Sequence, residues 1–200
     1  MNTEMHKDLP VILATSFDNW VAWLKANGHK ENGVWVKLSK KGSGVQSVTY
    51  EEAREGAIMY GWIDGLINAY DEKVYVTRFT PRRPKGLWSK INRTIAEQLI
   101  KEGRMTPTGL ATVEAAQADG RWEAAYDSPS AIKIPKDFEV ALGYSPKAQA
   151  FFESVSKTNR YAILYRIHTA HKPETRAVRI AGIIKMLEAG EVFHPKSKAE

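Results

Sequence analysis

The sequence predicts an α+β protein: a small antiparallel sheet with packed helices, followed by a helical C-terminal module. Three observations predict it. Strand-like alternation is confined to the part before Pro81. Helical periodicity bounded by caps and glycines fills most of the chain from Ser89 onward. An aperiodic stretch with two prolines follows Trp122 and separates the mixed part from a wholly helical one. With 43% hydrophobic and 26% charged residues in a chain of 200, the composition is that of a folded, soluble globular protein, which excludes collagen-like, low-complexity and wholly disordered chains.

The first element is a helix over about 17–27, where Ser16 precedes a spaced apolar set and Gly28 stops it. Gly33 to Leu38 alternates with β-branched and aromatic residues and reads as a strand, followed by a polar glycine-rich loop. Thr49 and Glu52 form a capping-box pattern, which starts a helix over about 50–60, ended by Gly61. Trp62 to Thr80 changes period and reads as a hairpin turning at Asp71-Glu72-Lys73. Pro81 and Pro84 end its second strand, because proline supplies no ladder donor. Ser89 caps a helix over about 90–102, and Thr106-Pro107 opens another over about 107–119.

These elements suggest an N-terminal α+β domain over 1–125 and a helical module over 137–190, with a frayed tail over 191–200. In the module, helices are expected from Asp137, Ser145-Pro146, Thr158 and Glu174. The last places Ile180, Ile183, Ile184 and Leu187 at the spacing of one buried face. The apolar run Leu9 to Ala14 is too short for an export signal or an anchor, and nothing approaches the ~18 apolar residues of a membrane span. A cytoplasmic protein is expected.

The chemistry-bearing stretch is Arg78 to Arg93, which holds Arg82, Arg83, Lys85 and Lys90 as well and has no acidic residue. The arginine fork grips phosphate or carboxylate oxygens through two parallel bonds, so Arg82 and Arg83 with Ser89 and Asn92 form a candidate anion site. Trp62, Trp88 and Trp122 lie at junctions between elements and are candidate walls. Asp64, at a turn after two large apolar residues, is the one weak catalytic candidate, a base for a small anionic substrate. The bland alternatives are that the arginines pair with nearby carboxylates, the indoles seal a core and Asp64 holds its own turn. Zero cysteines exclude thiolate metal sites, disulfides and cysteine nucleophiles. His168, His171 and Glu174 have conceivable ligand spacing, but Lys172-Pro173 disturbs the helix between them, so no metal is expected. Serine-hydrolase, Walker and Rossmann patterns are missing, and no cofactor is called for.

Several strings occur in an order that resembles the YdeI/OmpD-associated, or bacteriocin-protection, family. They are Trp62-Ile63-Asp64-Gly65, Phe79 to Arg83, Trp88 to Asn92, Gly103 to Leu110 and Asp119 to Trp122, with Glu174 to Gly190 resembling that family's helical module. The likeness runs from about Trp20 to Gly190. It implies a bacterial stress-associated protein linked to tolerance of bacteriocins or antimicrobial peptides, without fixing a catalytic residue. Together with the basic loop this points to a binding protein that takes a small polar or anionic ligand, or an acidic segment of a partner protein. The rivals are an enzyme using Asp64 and a nucleic-acid binder using the basic loop; the net charge of +6 is poor support for the latter. A cationic protein is also a poor sponge for cationic peptides.

Overall fold

In the computed structural model, which describes residues 4–195, the chain opens with a hairpin. Its strands β1 (Met5–His6) and β2 (Leu9–Ile12) are joined by Lys7 and Asp8, both at positive φ (47° and 65°), the turn whose twist suits two antiparallel strands. Helix α1 (Phe17–Asn27) then carries the chain across to β3 (Val34–Ser39), which lies parallel to β2. Helix α2 (Tyr50–Met59) precedes the hairpin of β4 (Trp62–Ala69) and β5 (Val74–Pro81). The strand order is β1-β2-β3-β5-β4. The sheet is therefore mixed rather than antiparallel throughout: β2–β3 is the exception. That pairing joins Val11 to Trp35 across an intervening helix, and a short apolar run carries no local sign of so distant a partner.

Local chemistry sets the ends of these elements. The Ser16 side chain accepts from the Asn19 amide at the start of α1, and Thr49 and Glu52 complete the capping box at the start of α2. Asp71 Oδ1 accepts from the amides of Lys73 and Val74 at 2.7 and 2.8 Å and so holds the β4–β5 turn. Successive side chains alternate across a sheet. One face presents Val34, Val36, Leu38, Trp62 and Phe79 to Trp20 and Leu24 of α1 and Ala53 and Ala57 of α2, which is the main core. The other face carries a smaller cluster of Val11, Trp35 and Val76. Helices α3 (Lys90–Lys101) and α4 (Pro107–Ala118) contribute to a second cluster that includes Ile58, Trp88, Leu99, Val113 and Trp122.

The described residues divide into two compact units, 4–88 with 92–125 and 126–195 with 89–91. The second unit contains α5 (Lys136–Gly143), α6 (Pro146–Ser154), α7 (Lys157–His168) and α8 (Pro173–Glu188). Its core joins Phe138, Phe152, Ile163, Ile167, Ile183 and Leu187. Ser156, not Thr158, caps α7. Of the four residues expected on the buried face of α8, Ile183 and Leu187 are buried, while Ile180 and Ile184 pack half-buried beside them. The tail expected to fray over 191–200 is held where it is described. Asn159 Nδ2 donates to the His194 carbonyl at 2.9 Å, and the His194 amide donates back to Asn159 Oδ1 at 2.9 Å. Residues 196–200 lie outside the described residues.

The start of α5 is tied to α8 through charge. Arg176 donates to both carboxylate oxygens of Asp137 at 2.6 and 2.9 Å and to the Ile167 carbonyl at 2.6 Å. The hydrogen bond from Arg176 holds the Asp137 carboxyl below its ordinary value of 3.8. A carboxylate lowered in this way contributes stability that is fully present above the unfolded value and is lost as pH falls through the folded one. Asp137→Asn should therefore lower the melting temperature near neutral pH, by an amount equivalent to about 1 kcal/mol or less for so exposed a pair. The difference from the parent protein should shrink as pH falls below 3.8. A gap that stays constant across a pH series of melts would show that the pair contributes nothing.

Candidate functional site

Strand parity builds the site. Arg78 is the cross-strand partner of Trp35, and Val76 that of Lys37, so Arg78 and Thr80 project from the face opposite α1 and α2. Pro81 ends β5, and Arg82 and Arg83 follow at once. Across the hairpin the register of β4 shifts between Asp64 and Ile67, and this irregularity sets Gly65 and Leu66 beside the end of β5. Together with Asn32 these residues line a cleft of about 430 Å³ with three guanidinium groups and no carboxylate in its lining.

The loop that carries two of the arginines is held in place. The Arg82 amide donates to the Gly61 carbonyl at 2.9 Å. Its guanidinium carbon lies 3.5 Å from the centre of the Trp88 ring, a cation–π stack that orients the group. Arg121, paired with Asp119, donates to the Gly86 carbonyl at 2.8 Å and braces the loop from behind. The Arg78 Nε is buried and has no hydrogen-bond partner among the described residues. Buried polar groups are nearly always bonded, and Trp35 Nε1, Arg54 Nε and Thr77 Oγ1 share this state elsewhere in the sheet unit.

The residues expected to form one site are dispersed. Trp62 is 2% exposed in the main core and its Nε1 donates to the Gly28 carbonyl at 3.3 Å. Trp88 and Trp122 are buried in the second cluster, edge to face with ring centres 4.9 Å apart. Trp62 and Trp88 therefore belong to different cores. Asn92 is also buried, at 5% exposure. Ser89 forms an isolated parallel bridge with Tyr126 and groups with the second unit. Asp64 is the cross-strand partner of Phe79, so it points to the helix side of the sheet, away from Arg78 and Thr80. There it accepts a 2.5 Å hydrogen bond from the Tyr50 hydroxyl, and burial together with that bond pushes the Tyr50 phenol up. Only Arg82 and Arg83 of the expected set line the cleft. Arg78, Thr80, Asn32 and Leu66 were not expected there. The one sequence signal for Arg78 and Thr80 is parity: an arginine and a threonine stand two apart, in step with Val76, while Tyr75, Thr77 and Phe79 take the alternate positions.

No helix among the described residues is long and apolar enough to cross a membrane. The molecule is an α+β protein that carries an arginine-lined cleft at one end of a mixed sheet, with a helical unit in the same chain. The chain belongs to the family described as Domain of unknown function (DUF8412), whose model matches residues 12–112. Residues 131–190 match the family described as Bacteriocin-protection, YdeI or OmpD-Associated, a partial match of the chain. The resemblance to that second family thus holds for the helical unit, whereas the strings Trp62 to Gly65, Phe79 to Arg83 and Trp88 to Asn92 fall in the segment matched by the first. Neither the curated proteins nor the solved structures give a match.

Proposed function

We propose that this is a cytoplasmic, stress-associated binding protein of the bacteriocin-protection type whose sheet unit captures a small oxyanion in the arginine cleft. One observation carries the reading: a cleft whose lining gathers three guanidinium groups, from Arg78, Arg82 and Arg83, and no carboxylate. Guanidinium groups take oxyanions through charge-assisted hydrogen bonds, and three of them around one cleft without a carboxylate give it a positive field that favours such a ligand. The same chemistry suits a phosphate, a sulfate or the carboxylate of an acidic protein segment. Protection would then run through that ligand or partner, since a chain of net charge +6 repels cationic peptides. The enzymatic alternative needs Asp64 beside the anion, but Asp64 faces the helix side of the sheet with Phe79, opposite to Arg78 and Thr80, so the binding reading is preferred.

Sulfate or phosphate should raise the melting temperature beyond chloride at matched ionic strength, because a ligand that prefers the native state shifts unfolding by mass action, about 2.7 kcal/mol at a hundredfold excess over Kd. Arg78→Gln and the double change Arg82→Gln, Arg83→Gln should each abolish the difference. Sulfate also stabilises proteins generally. A shift that survives both variants therefore overturns the assignment.

A further inference from the structure

The helical unit holds a cleft of its own, of about 580 Å³, between α7, α8 and the segment after α8. Two arginines edge it. The Arg166 guanidinium carbon lies 3.8 Å from the centre of the Phe193 ring, and its Nη1 donates to the Ala162 carbonyl at 3.0 Å. Arg179 Nη1 donates to the Arg166 carbonyl at 2.7 Å, at the C-terminal end of α7. These contacts engage one terminal nitrogen of each group, and neither is ion-paired to a carboxylate among the described residues. Ile183 and Met186 supply an apolar wall.

Gly182 is the independent clue. It sits well inside α8, where glycine weakens a helix relative to alanine. A Cβ built there meets nothing within 4 Å, so no close approach of another chain segment requires glycine. Its φ is not among the positive ones either. What the missing side chain leaves open is the cleft, which Gly182 lines.

We propose that this cleft binds an organic anion with an aromatic or apolar body, its charge against Arg166 and Arg179 and its body against Ile183 and Met186, over Gly182. The site is separate from the arginine cleft of the sheet unit and stands without it. Anilinonaphthalene sulfonate, titrated into the full chain and followed by its fluorescence, should bind in one saturable phase. Naphthalene sulfonate should displace it, whereas neutral naphthalenemethanol and methanesulfonate should each be about tenfold or more weaker competitors, since each keeps only one half of the interaction. Gly182→Leu should cost about tenfold or more in affinity at an unchanged or raised melting temperature. Arg166→Gln, which leaves the Arg179 contact to α7 in place, should also weaken binding, and Arg78→Gln should not. Unchanged affinity in Gly182→Leu, equal displacement by the neutral competitor, or loss of binding in Arg78→Gln would each overturn the proposal.

Discussion

Gly109→Ala should destabilise the sheet unit by about 3 kcal/mol or more, an overpacking penalty at the upper end because the obstacle is backbone. A Cβ on Gly109 would lie 2.2 Å from the Met59 carbonyl oxygen and 2.8 Å from Met105 Cε. That oxygen is already committed, since it accepts from the Thr106 hydroxyl at 2.6 Å and the Thr106 amide at 3.1 Å. The first turn of α4 is thereby docked on the last residue of α2, and only a hydrogen at position 109 leaves room. All six tryptophans lie at or before position 122, within this unit, so tryptophan emission in a denaturant titration reads the effect directly. A midpoint equal to that of the parent protein would mean that α4 does not rest on α2 in this way.

Leu187→Asp should be the most damaging single change in the helical unit, with a loss of more than about 4 kcal/mol, because it places a charge where apolar neighbours offer it no partner. Leu187 is 0% exposed in a cluster with Phe138, Phe152 and Ile163. Ile184→Asp, one turn earlier and half-buried, should cost clearly less, since its carboxylate can turn toward water. Both positions belong to the same periodic stripe, so the pair measures where the stripe passes from core to rim. Far-ultraviolet circular dichroism melts of the two variants would settle the order, and equal losses would refute it.

The arginine site shows where the information lies. The basic run from Arg78 to Arg93 is plain in the sequence, and so is the chemistry of an arginine fork. Which of its members meet depends on the parity of β5 and on the register shift in β4, features fixed by pairing between strands. The indoles were legible as large apolar groups at junctions, but Trp62 and Trp88 close two different cores, and composition offers no means of separating a wall from a seal. Asp64 was misleading for a related reason. Nearness in sequence to the arginines says nothing of facing, and one step of the pleat puts it with Tyr50 behind the sheet.

By itself the sequence determined the α+β class, the helix starts at Ser16, Thr49, Thr106 and Ser145, the β4–β5 hairpin and the helical character of the second unit. Each of these is a local event, in which a side chain satisfies an amide a few residues away or an apolar period matches the turn of a helix. Tertiary structure alone decided the parallel β2–β3 pairing, the division of the stripe on α8 into buried and half-buried residues, the close approach at Gly109, and the gathering of Arg78, Arg82 and Arg83 around one cleft. Those outcomes depend on which distant segments pack together. The free energy that selects them comes from burying surfaces and pairing strands far apart in the chain, and no window of neighbouring residues contains it.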